Sequence, residues 1–147
     1  MPQSRASQVD LASTPYYHCV SRCVRRAFLC GSDPYTGKNF DHRKQWLVDR
    51  LHTLSEVFAV QVCAYAVMSN HFHLVVRVDR ELAESWSDDE VLERCGKLFK
   101  NAAARADQLT ETQRAEKVAL WRARLGDLSW MMRSLNEWLE YKRHPNP

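Results

Sequence analysis

The tract AVQVCAYAVMSNHFHLVVRV, residues 59–78, constrains the fold more than any other part of the chain. Two apolar runs rich in β-branched residues flank a short break, Met68–Asn70. Such runs joined by a short turn form an antiparallel hairpin. Alternation along the first, Ala59–Val67, places Val60, Val62, Ala64 and Ala66 on one face and Gln61, Cys63 and Tyr65 on the other. Along the second, His71–Val78, it sends Phe72, Leu74, Val76 and Val78 one way and His71, His73, Val75 and Arg77 the other. The rest of the chain must therefore cover one face of a hairpin whose other face carries two imidazoles.

Helices are available to do so. Leu47, Leu51, Leu54 and Phe58 recur at helical spacing after Asp41, a candidate N-cap. Ser87–Glu90 (SDDE) and Thr110–Gln113 (TETQ) read as capping boxes. The first opens a helix with Val91, Cys95, Leu98 and Phe99 on one side; the second opens one that runs through Trp121 to Leu125. Gly126-Asp127 breaks that helix, and Leu128, Met131, Met132, Leu135 and Leu139 stripe a last one. Upstream, YYHCVSR (Tyr16–Arg22) reads as a strand with one tyrosine packed inward, and CGSDPYTGKNF as a loop. This order predicts an α+β fold: a ferredoxin-like βαββα unit with an antiparallel sheet and extra C-terminal helices. No fourth strand is visible in the sequence. Residues 1–13 are polar and expected to be mobile, and 14–147 to form one domain.

Composition narrows the function classes. Four glycines argue against a glycine-rich phosphate loop, and no apolar run approaches the roughly 20 residues that span a bilayer. The N-terminus has no apolar targeting segment, so a cytoplasmic protein without a membrane partner is expected. The five cysteines, Cys19, Cys23, Cys30, Cys63 and Cys95, contain no CxxC pair, which argues against a zinc ribbon and for reduced thiols, and Cys19 and Cys23 read as packing thiols. Trp121, Trp130 and Trp138 fall in helices, where core or interface packing is the expectation. Net charge is only +3, but residues 1–50 hold 8 Lys+Arg against 4 Asp+Glu, while residues 51–147 hold 13 against 14. The surplus lies around Arg22, Arg25, Arg26, Arg43 and Lys44, a candidate phosphate-binding patch that charge alone does not separate from a solvated surface.

The histidine pair carries the most specific chemistry. Two residues of strand rise about 6.6 Å. Imidazoles that far apart on one face can lean onto a single divalent ion at about 2.1 Å from each nitrogen. Two ligands do not complete a site, and His18 on the first strand is the candidate third. The ordinary alternative is a pair of half-buried histidines satisfied by hydrogen bonds.

The wider context of this pair, YAVMSNHFHLVV, resembles the metal-site strand of the HUH single-tyrosine transposases on Tyr65, Met68, Asn70, His71, Phe72 and His73. TPYYHCVSRCVRRAFL (Thr14–Leu29) resembles the opening strand of the REP-associated branch of that family. LSWMMRSLNEWL (Leu128–Leu139) resembles the helix before that branch's last strand. The resemblance implies binding of single-stranded or hairpin DNA, a divalent ion (Mg²⁺ or Mn²⁺) on His71 and His73, and strand cleavage and joining in DNA transposition through a 5′-phosphotyrosine link. It also implies DNA contacts at Arg22 and Asn70, and a homodimer.

The family's last strand and its tyrosine-bearing helix have no counterpart in the eight residues after Leu139, EYKRHPNP. The chain is thus expected to be a C-terminally shortened member of the family. Tyr141 is the only nearby candidate nucleophile, and Pro145 stands where the family places a polar residue toward the metal. Two other readings stay open: a DNA-binding remnant without chemistry, and a metal-binding domain unrelated to nucleic acid.

Overall fold

The computed structural model describes residues 4–22, 29–100 and 106–143. The fold is α+β, with a three-stranded antiparallel sheet ordered β1-β3-β2 and helices against one face. The elements are α1 (Arg5–Gln8), β1 (Tyr16–Arg22), α2 (His42–Val57), β2 (Val60–Val67), β3 (His71–Val78), α3 (Arg80–Ser85), α4 (Asp88–Leu98), a 3₁₀ turn (Ala106–Gln108), α5 (Glu111–Leu125) and α6 (Leu128–Arg143). This is the βαββα order expected from the sequence, with additional helices after it.

The core forms where the sheet's apolar face meets the helical stripes. Phe72, Leu74, Val76 and Val78 of β3 are buried, as are Leu47, Leu51, Leu54 and Val57 of α2. Leu128, Met131, Met132, Leu135 and Leu139 of α6 close the same core. Phe58 falls just beyond α2 but stays in that core. Ser21 Oγ donates to Asn136 Oδ1 at 3.0 Å, tying α6 to the core face of β1. Tyr17, half-buried, is the inward tyrosine of the pair; its hydroxyl donates to Thr14 O at 2.6 Å. Cys19 and Cys95 are packing thiols, and burial pushes the Cys95 thiol's pKa up. No helix among the described residues is long and apolar enough to cross a membrane.

The caps differ from their sequence expectations in two places. Thr110 and Gln113 form a complete capping box. Ser87 accepts from Glu90 N, but the Glu90 carboxylate turns to Arg94, accepting from its Nε at 2.7 Å, so that box is half formed. Asp41 makes no side-chain cap on α2. Its carboxylate accepts instead from Gly31 N at 2.7 Å, which, with Asn39, holds it below the usual carboxylate pKa. That bond closes the loop before α2 on itself. The short helix α3, unforeseen in the sequence, is capped by Asp79 and braced by Arg122, whose guanidinium donates to Ala83 O, Trp86 O and Asp88.

The largest departure is in β2. Val60, Gln61 and Val62 pair with Val78, Arg77 and Val76, but Ala64 then pairs with Val75. Cys63 is an extra residue, a β-bulge. Beyond it every side chain changes face, because the strand's period is two. Ala64 and Ala66 therefore share the histidine face, while Tyr65 and Val67 turn to the face of Leu74 and Phe72. The predicted grouping of Val60, Val62, Ala64 and Ala66 on one face holds only up to Val62.

Candidate metal centre

Register fixes which side chains meet on the open face. Directly opposed residues of an antiparallel pair share a face. Arg22 lies opposite His71, Val20 opposite His73, and His18 opposite Val75. Ala66 lies opposite His73 on the other side. The face thus presents His18, Val20, Arg22, His71, His73, Val75, Ala64 and Ala66, and it is open to solvent: Val20 is 43% and Val75 37% exposed. The bulge gives His73 a methyl group for a cross-strand neighbour where unbroken alternation would have given it Tyr65. Space beside the imidazole follows from that exchange.

The three imidazoles lie side by side, with His73 between the other two. The His18 and His73 rings stack with centroids 5.1 Å apart, and His71 meets His73 edge-on at 5.0 Å. His18 Nε2 lies 2.9 Å from His73 Nδ1. One of these nitrogens donates to the other when no ion is present. The same separation matches two ligand nitrogens at about 2.1 Å from one ion and at right angles, which would stand about 3.0 Å apart. His71 Nδ1 lies 2.8 Å from Asn70 Oδ1. An amide oxygen can only accept, so His71 Nδ1 carries the proton and its Nε2 lone pair is left for an ion. A ligand histidine held in one tautomer by an outer hydrogen bond is the usual design of metal sites.

The residues present could offer a divalent ion nitrogens from His73 and His18, which stand at ligand spacing, and from His71, edge-on beside His73. They do not enclose one: among the described residues no group of three or more His, Cys, Asp and Glu side chains is disposed around a single point. Imidazoles on an open face leave coordination positions for water or a phosphate oxygen, as catalytic sites do and structural sites do not. Removing the outer hydrogen bond should show in the affinity. Asn70→Ala is expected to weaken Mn²⁺ binding by about 10-fold or more, the typical cost of losing an orienting partner. Titration calorimetry reads it, and unchanged affinity would mean that Asn70 does not set the His71 tautomer.

The other sequence candidates are spread more widely. Arg22 joins the histidines through the register. Arg43 and Lys44 lie in the first turn of α2, on the helical side of the sheet. Arg25 and Arg26 lie outside the described residues. Tyr141 is 59% exposed near the end of α6, in the helical layer against the core face, so the structure does not bring it to the histidines. Asn70, expected to contact DNA, meets His71 Nδ1 through its side-chain oxygen. No protein-family model, curated protein or solved structure matches the chain.

Proposed function

We propose that the chain is a transposase-like DNA-binding protein that takes single-stranded or hairpin DNA on the open face of its sheet, at a divalent ion held by His71 and His73. The observation that carries this reading is the contact of His73 with both His18 and His71 on that face, with Asn70 fixing one tautomer and Arg22 alongside. Bound there, the ion would supply a Lewis acid that polarises a phosphate oxygen. Arg22 would hold a neighbouring phosphate as a fixed cation. Ala64 and Ala66 leave the face low enough for a backbone to approach.

Strand cleavage and joining is the fuller form of the same reading. It needs a tyrosine hydroxyl to attack the phosphorus, forming an O–P bond at the 5′ side while the 3′ oxygen leaves and takes up a proton. The position of Tyr141 in the helical layer favours binding without cutting. Incubation of labelled hairpin DNA with the protein and Mn²⁺ separates the two. We expect Mn²⁺ to increase the retardation on a native gel above that seen in EDTA, an increase lost in His71→Ala/His73→Ala, and no adduct on a denaturing gel. A denaturation-resistant adduct lost in Tyr141→Phe would establish the cleaving form. Absence of any ion-dependent retardation at low salt would remove the DNA-binding reading on this face.

A further inference from the structure

Away from the histidines, the start of α2 and the end of α6 bring cations and indoles together. Lys142 Nζ lies 5.7 Å from the Trp46 ring centroid and 5.5 Å from that of Trp138, bridging the two. The Arg50 guanidinium lies 5.3 Å from the Trp138 centroid. The Arg43 guanidinium sits 4.3 Å over Phe40 and 5.7 Å from Trp46. Unlike Trp121, which is buried, Trp46 and Trp138 are only half-buried.

The charge there is poorly balanced. No carboxylate lies within ion-pair distance of Lys44, Arg50 or Lys142 among the described residues. Neighbouring carboxylates accept hydrogen bonds from other groups, Asp41 from Gly31 N, Asp49 from Gln45 Nε2 and Glu137 from Arg133, and Asp41 feels Lys44 only beyond ion-pair distance. Arg50 donates from Nη2 to Ser134 O at 3.5 Å, but its Nε is buried without an acceptor. Burial lowers the Arg50 pKa, the mark of a cation kept from water without a counter-charge.

We propose that this surface is a second nucleic-acid site, which holds the phosphates of a single strand with Lys44, Arg50 and Lys142 and stacks its bases on Trp46 and Trp138. Cations alone would suit any polyanion. Two part-exposed indoles beside them select one with flat aromatic faces, since base–aromatic stacking contributes about 1–3 kcal/mol per base. The inference rests on the DNA-binding reading for its partner class but places contacts on the opposite side of the sheet from the histidines. Residues 29–41 link the two: Leu29 N donates to Ser69 O, in the turn before His71, and the segment then runs into α2.

The test uses excess EDTA, so that no ion can occupy the histidine site. Fluorescein-labelled oligothymidine is titrated by anisotropy into wild type, His71→Ala/His73→Ala and Lys44→Gln/Lys142→Gln. Both lysines are exposed, so the last variant keeps the fold. Wild type and the histidine variant should bind alike. The lysine variant should bind about tenfold more weakly, with a salt slope lower by about 1.4, two phosphates at about 0.7 each on a single strand. Oligothymidine should quench tryptophan fluorescence, and poly-glutamate should not. The inference is overturned by any of four results: wild type that does not bind in EDTA, a lysine variant equal to wild type, equal quenching by poly-glutamate, or binding lost in the histidine variant. None of these decides the ion-dependent retardation, so the two sites are judged separately.

Discussion

The double substitution His71→Ala/His73→Ala should abolish measurable Mn²⁺ binding while leaving the fold in place. Wild type should bind Mn²⁺ more tightly than Mg²⁺, because imidazole suits the softer ion. Each neutral imidazole supplies one nitrogen, and His18 alone cannot replace two ligands. The fold survives because neither ring is part of the core. Both side chains lie half-buried on the open face, and their hydrogen bonds go to Asn70 and His18, which are exposed. Losing two such bonds costs about 0.5–1.5 kcal/mol each, nearer the low end in water. Calorimetric titration with MnCl₂ and a thermal melt of the same samples read both halves. Equal ion binding in the variant and wild type would remove the metal assignment, and with it the ion-dependent form of the proposed function.

The sequence revealed those parts of the structure whose signal is local. The alternation in His71–Val78 placed every side chain of β3 on its correct face, because nothing interrupts that strand. The same reasoning failed in β2 after Val62. One extra residue flips a strand, and Cys63 carries none of the glycine or proline signals that mark a bulge. Helix α3 escaped notice because its six residues bury only Ala83, too little for a periodic stripe. At the site, a spacing of two was enough to put His71 and His73 together, and His18 followed from strand adjacency. The role of Asn70 did not, since whether an amide turns toward its neighbour's ring depends on rotamers. The pairing of Trp46 with Trp138 through Lys142 was out of reach. It joins residues about 90 positions apart, through the packing of α2 on α6.

Phe72→Ala should have the opposite profile to the histidine variant: a large loss of stability through the same strand. Phe72 stands between the two histidines in sequence but points to the other face, where it is 2% exposed. Its cross-strand neighbours are Ser21 and Val67, and the bond from Ser21 to Asn136 brings α6 over that part of the sheet. Surroundings relax only partly into such a space, so a residual cavity is expected. Truncating a buried phenylalanine costs about 3–5 kcal/mol, a large share of the roughly 5–15 kcal/mol that holds a domain folded. For a chain of this size each kcal/mol lowers Tm by about 2–4 °C, so a drop of about 6–20 °C is expected. Val75→Ala, at a solvent-facing position on the histidine side, is the control and should shift Tm by no more than about 2 °C. Where Phe72→Ala remains folded, below its lowered Tm, Mn²⁺ affinity should stay near wild type, because β3 is hydrogen-bonded on both sides and holds the imidazoles by its backbone. A melt of Phe72→Ala within 2 °C of wild type would mean that the sheet's apolar face is not the one against the helices. The division of β3 into a stabilising face and a binding face would fall with it.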